Sequence, residues 1–137
     1  MLNITNKSVY AIKALIDLAE NQNNGLMQIK NIAKRKNIPQ NFLVQILNKL
    51  VKAGLVKSVR GINGGYKLRH SPEKISILEI LEILEGPINF HESVDGGSSV
   101  FSLFTEAETE LKKVFDISLK SMLEKQKKIT SQIIYYI

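Results

Sequence analysis

Three short amphipathic helices followed by a glycine-turned β-hairpin predict a mainly α fold with a small β-hairpin wing, a winged helix-turn-helix. Two further observations extend that prediction. The chain is basic at its front and mildly acidic behind, and an apolar seam near its end predicts a long C-terminal dimerisation helix.

The first helix is predicted over residues 5–20, where Tyr10, Ala11, Ala14, Leu15, Leu18 and Ala19 recur at helical spacing on one face. The polar run 21–25 ends in Gly25 and reads as a loop. A short helix over 28–36 turns Ile29, Ile32 and Ala33 inward, and Asn37 ends it. Pro39 suits the first turn of a third helix, over 39–53, because a missing N–H has no partner to lose there. Phe42, Leu43, Ile46, Leu47 and Leu50 make its apolar stripe, and Gly54 supplies the left-handed residue that closes it. Residues 28–36 and 39–53 are the helix-turn-helix pair.

Past Gly54 the period changes. Residues 55–60 and 65–69 read as strands flanking Gly61, Ile62, Asn63 and Gly64, whose glycines permit a hairpin turn. Ser76 and Glu79 have the spacing of a capping box, in which a hydroxyl and a carboxylate satisfy each other's free N–H groups. They open a helix through Ile80, Leu81 and Leu84 that closes at Gly86 and Pro87. Residues 86–104 are irregular, centred on Gly96, Gly97, Ser98 and Ser99. Thr105 and Glu108 read as a second capping box, heading the longest helix, 105–137. Along it Leu111, Phe115, Leu119, Met122, Gln126, Ile129, Ile133 and Ile137 step by three or four, a seam too long for a small domain to cover alone. The expected organisation is a winged helix-turn-helix over 1–86, a connecting or effector loop over 87–104 and a dimerisation helix over 105–137.

The net charge of +6 is unevenly spread. Residues 1–70 hold twelve Lys/Arg against only Asp17 and Glu20, a local charge of +10, whereas residues 71–137 hold seven against eleven, or −4. That distribution suits a front half that meets a polyanion and equally a solvated basic face with no partner, and charge alone does not choose between them. No apolar run approaches the roughly 20 residues that cross a bilayer, and no secretion signal opens the chain, so a cytoplasmic protein without membrane association is expected. There is no cysteine, which removes disulfides, thiol catalysis and thiolate metal sites. Nor is there a phosphate-binding Gly-Lys-Ser loop, a Ser/His/Asp order or a catalytic carboxylate pair, and no enzyme activity is expected. His70 and His91 lack a second ligand at recognisable spacing, so neither metal nor cofactor is expected. Glu79, Glu82 and Glu85, at helical steps, read as a solvated face.

The residues that would read DNA follow from this layout. Gln40, Asn41, Val44, Gln45 and Asn48 lie in the first half of the third helix, on or beside the face opposite its apolar stripe. Asn and Gln amides pair bidentately with adenine in the major groove. Arg60 and the tip Gly61, Ile62 and Asn63 form the wing, where an arginine enters a narrow, strongly negative minor groove. Lys7, Lys34, Lys36, Lys49, Lys57 and Lys67 are candidates for phosphate contacts, which set register without reading sequence. Tyr66 is expected to pack the wing onto the third helix. Leu111, Phe115, Leu119, Met122, Ile129 and Ile133 are the expected dimerisation residues. The competing reading is a winged-helix protein-interaction module with little direct DNA binding, a use the fold alone permits. The basic front half and Arg60 favour DNA.

Several of these residues also carry a resemblance. Tyr10-Ala11, Ile32-Ala33, Ile38-Pro39, Phe42-Leu43, Ala53-Gly54-Leu55-Val56, Arg60-Gly61, Gly64-Gly65-Tyr66 and Leu84-Glu85-Gly86 resemble the Rrf-two (Rrf2) family of bacterial transcription regulators over about residues 3–86. The resemblance implies a winged-helix homodimer, swapped through a long helix, that binds an imperfect palindrome in double-stranded DNA; the expected role is repressor, with activator as the alternative. Family members include iron–sulfur regulators, a nitric-oxide sensor and a cysteine-metabolism repressor. The expected input is then a small-molecule effector, a metabolic enzyme as in the cysteine-metabolism subgroup, or none at all. Many relatives hold a cluster on three cysteines after the fourth helix, where residues 87–104 here have none, so no iron–sulfur cluster is expected. Relatives often carry Glu where Val44 stands, which replaces expected recognition of a cytosine by an apolar contact to a thymine methyl.

Overall fold

A computed structural model describes residues 3–136. In chain order it comprises α1 (Asn6–Glu20), α2 (Ile29–Lys36), α3 (Gln40–Lys52), the strands β1 (Val56–Val59) and β2 (Gly65–Leu68), α4 (Ile77–Glu85), α5 (Ser99–Phe115) and α6 (Leu119–Tyr136). Single 3-10 turns lie at Gln22–Asn24 and Pro72–Lys74. The architecture is the predicted one, mainly helical with a two-stranded antiparallel wing in which Val56 faces Leu68 and Val59 faces Gly65. From α1 to β2 the ends agree with the periodicity to within a residue. Asn37 makes the turn between α2 and α3 in the left-handed conformation, φ 53° and ψ 53°, which a short polar side chain tolerates.

The core gathers around α1, which packs on α2, α3, α4 and α6. Ala14 and Leu15 of α1, Ile32, Leu47, Val56 and Ile80 are all fully buried there. Two glycines of the wing are needed for close approach. A Cβ on Gly64 would lie 2.1 Å from the Val59 carbonyl oxygen, and one on Gly65 would lie 2.7 Å from that of Met27. That second approach lets Met27 and Tyr66 exchange both backbone hydrogen bonds, at 2.8 and 2.9 Å, so the segment before α2 is laced to the wing.

The C-terminal third departs from the sequence prediction. Where a single helix over 105–137 is expected, the described residues form two helices, broken at Asp116–Ser118, and Ile137 of the expected seam lies outside the described residues. The break has a backbone cause. Ile77 N–H donates to Ile117 O at 2.9 Å and Leu119 N–H donates to Ile75 O at 2.8 Å, pairing the linker with the segment that leads into α4. Leu119 is thereby inserted, fully buried, into the same core as α1 and α4. It is an intrachain core residue and not part of an exposed seam. Neither capping box forms. Ser76 turns its hydroxyl to the Asp116 carboxylate at 3.1 Å. Thr105 lies inside α5, donating its hydroxyl back to Phe101 O at 2.9 Å. The true cap of α5 is Ser98, whose Oγ accepts from Phe101 N–H at 3.1 Å, so the helix starts six residues early and shortens the irregular segment.

Candidate nucleic-acid interface

α3 buries Leu43, Ile46, Leu47 and Leu50 and leaves Gln40, Asn41, Val44, Gln45, Asn48 and Lys49 exposed. Two rows result. Asn41, Val44 and Asn48 climb one flank, and Phe42, Gln45 and Lys49 the other. Asn48 lines a groove with Ser58, Arg60, Gly61 and Tyr66, so the recognition helix and the wing share one concave surface. Phe42, which sequence periodicity turns inward, is 43% exposed. Its ring stands 6.4 Å from Tyr10, beside Lys7, Gln45 and Lys49. Leu43 and Ile46 already fill the space beneath α3, which leaves Phe42 at the rim.

Arg60, Gly61, Ile62 and Asn63 are all exposed at the wing tip. Lys57 is exposed too, but it stands opposite Lys67 in the hairpin register and does not line the groove. Tyr66 is half-buried and packed against the core.

Ion pairs sharpen the charge pattern. Arg35 donates from Nε to Asp17 Oδ1 at 2.7 Å and from its terminal nitrogen to Oδ2 at 2.8 Å, a bidentate pair on a fully buried carboxylate that clamps α2 to α1. Those hydrogen bonds hold the guanidinium pKa above its ordinary value. Lys36 pairs with Glu20 at 2.8 Å, which removes it from the phosphate-contact candidates. The two acidic residues of the front half are thus both spent inside the helix-turn-helix. Among the described residues no ion pair engages the other ten front-half cations, Lys7, Lys34, Lys49, Lys57, Arg60 and Lys67 among them.

Sequence reasoning missed two contacts. Glu85 is not part of a solvated face. It accepts from Thr5 N–H at 2.6 Å, Thr5 Oγ at 2.9 Å and Ser8 Oγ at 2.8 Å, capping α1 from the end of α4. Glu108 is also turned inward, accepting from Phe90 N–H at 3.2 Å with His91 Nδ1 3.4 Å away. Both pairs are far apart in sequence and invisible to periodicity.

A family model described as "Iron-dependent Transcriptional regulator", Rrf2, matches residues 4–134. This chain belongs to the Rrf2 family. It is 39% identical over 88 residues to the HTH-type transcriptional regulator CymR of Bacillus subtilis. It is 44% identical over 84 residues to a putative HTH-type transcriptional regulator of Synechocystis, slr0846. Those alignments span 64% and 61% of this chain but only 64% and 57% of the relatives' own length. The solved structure of B. subtilis CymR, described as the global cysteine regulator of that organism, superposes with a TM-score of 0.82 at 32% identity, covering 90% of this chain and 98% of that one. T. potens IscR superposes with a TM-score of 0.77 at 35% identity, covering 91% and 88%.

The Rrf2 model's iron dependence meets an unsuitable donor set here. The chain has no cysteine. Among the described residues no group of three His, Cys, Asp or Glu side chains could hold a metal ion. His91, the one imidazole of the segment after α4, faces Glu108 and packs edge-on against Phe101 at 5.3 Å. Cluster proteins keep thiolates on at least part of the cluster. The residues present do not fit one. Among the described residues no helix is long and apolar enough to cross a membrane.

Proposed function

We propose that this protein is a sequence-specific DNA-binding transcription regulator, acting in the cytoplasm as a homodimer without an iron–sulfur cluster. The observation that carries the reading is the single groove shared by Asn48 of α3 and Arg60 of the wing, set in a surface whose cations have no carboxylate partners. α3 enters the major groove, where Gln40, Asn41, Gln45 and Asn48 read base edges and Val44 meets a thymine methyl. Arg60 with Gly61, Ile62 and Asn63 occupies the adjacent minor groove. Lys49 and Lys57 hold phosphates.

The dimer forms through the C-terminal helices and sets two heads on an imperfect palindrome. Support comes from apolar side chains left exposed among the described residues: Ile129 and Ile133 on α6, and Val100, Leu103, Phe104 and Val114 on α5. Of the other expected dimerisation residues, Phe115 and Met122 pack against the head's own core, as Leu119 does, and Leu111 is half-buried. Residues 1–86 are the DNA head, the segment from 87 to the start of α5 receives the input, and α5 with α6 joins the protomers. The input is a metabolite or a partner enzyme, and the output is repression. No catalytic role is proposed.

The test is binding of the purified protein to fragmented genomic DNA across a salt series, with sedimentation in parallel. Affinity is expected to fall with a log–log slope of roughly −0.9 per phosphate contact, on a protein that sediments as a dimer. Salt-independent binding, or capture of a protein partner with no DNA retained, overturns the reading in favour of an interaction module.

A further inference from the structure

Ile62 stands alone among the exposed apolar side chains. It is 95% exposed, whereas every other large apolar residue on the described surface lies between 38% and 67%. Isolated surface aliphatics are common and need no explanation, but this one is held out at a fixed point. Gly61 has φ +117° and accepts from Gly64 N–H at 3.0 Å, closing the turn beneath it. Gly64 has no room for a side chain against the backbone of Val59, Arg60 and Gly61, so the turn that carries Ile62 is tightly packed. Isoleucine is branched at Cβ and stiff about χ1, so ordering it costs little entropy.

The surroundings say what this side chain meets. From residue 55 to residue 70 the hairpin carries Lys57, Arg60, Lys67 and Arg69 and no carboxylate. An apolar tip on a hairpin of uniform positive charge complements a polyanion that offers an apolar lining between its charges. The minor groove of duplex DNA, with sugar walls between two rows of phosphates, has that character. Apolar side chains carried into it enter between base steps, partly unstack them and bend the duplex.

We infer that Ile62 is a minor-groove wedge: it enters one base step beside Arg60 and bends the operator, selecting for steps that unstack easily, such as TA or CA/TG. The inference rests on the DNA-binding reading above and goes beyond it, because it assigns specificity to a residue that offers no hydrogen bond. The tight hairpin directs the wedge, and the neighbouring Arg60 supplies the electrostatic hold.

The experiment compares wild type, Ile62→Ala, Ile62→Leu and Arg60→Ala on duplexes that the wild type selects from a random pool. It reads affinity against salt and DNA bending by circular permutation. Ile62→Ala is expected to lose about tenfold in affinity, the worth of burying an aliphatic side chain, with an unchanged salt slope and a reduced bend. Ile62→Leu should restore most of both. Arg60→Ala should instead lower the salt slope by about 1. At 95% exposure the Ile62 variants keep the wild-type fold and thermal stability. Wild-type affinity and bending in Ile62→Ala, beside a weakened Arg60→Ala, overturns the wedge and leaves the DNA reading standing. Lost affinity with an unchanged bend also overturns insertion. If the wild type selects no duplex at all, both readings fall together.

Discussion

The DNA head and the C-terminal helices are built on opposite principles. In the head, apolar faces meet one another: α1 is enclosed by α2, α3 and α4, and the two front-half acids are consumed by Arg35 and Lys36. What remains outside is charge and amide. In α5 and the far part of α6 the apolar side chains themselves remain outside, with Val114 67% exposed on one and Ile133 56% on the other. A domain that covers its own core is complete as a single chain. Helices that leave theirs exposed are the surface that the proposed dimer would cover.

The contrast is sharpest in α6, which crosses it. Leu119→Ala removes a fully buried side chain from the head's core and should cost about 2–5 kcal/mol, read as a large drop in melting temperature. Ile129→Ala with Ile133→Ala in the same helix should leave the head folded and shift sedimentation toward monomer. If the two substitutions trade effects, the division drawn here is wrong.

A smaller effect is expected within the head. Arg35→Met leaves the buried Asp17 carboxylate without its partner. Uncompensated buried charges cost 3–5 kcal/mol, and the part-exposed guanidinium puts this pair nearer about 2 kcal/mol. Denaturant melts of the variant check it, and an unchanged midpoint would show that α2 is held by apolar contact alone.

The smallest effect is a pH dependence within the head, where α4 meets the start of α1. Burial pushes the Glu85 carboxyl up, but Thr5 N–H, the Ser8 and Thr5 hydroxyls and the charge of Lys7 together hold it below its ordinary value. A carboxyl depressed in the folded state stabilises fully above the unfolded value, near 4.3, and loses that contribution as pH falls through the folded value. Glu85→Gln should therefore be slightly less stable at neutral pH and show a shallower loss below about pH 4.5. An acid limb identical to wild type would separate Glu85 from α1.

Local order fixed by side-chain periodicity was legible in the sequence throughout the head. Leu43, Leu47 and Leu50 repeat at 3–4 residues and are, like Ile32, buried as predicted, and the change of period at Gly54 marks the wing. The same rule failed at Phe42, since periodicity ranks faces but cannot say that Leu43 and Ile46 have already filled the space. It failed again over residues 105–137, where helical spacing continues on both sides of a break. Ser98 and Thr105 are equally good caps by composition. Only the tertiary structure chose between them, because Glu108 is drawn inward by the Phe90 amide.

The sequence by itself determined the winged helix, its basic face and the absence of any thiolate site, because each follows from residue type and short-range spacing. The tertiary structure alone decided which charges are neutralised, that Glu85 caps α1 across 80 positions, and that Leu119 belongs to the head. Those outcomes depend on contacts between segments far apart in the chain. Two backbone hydrogen bonds from residues 75 and 77, with a leucine's worth of buried surface, fix the break at residues 116–118, although apolar residues continue at helical spacing on both sides of it.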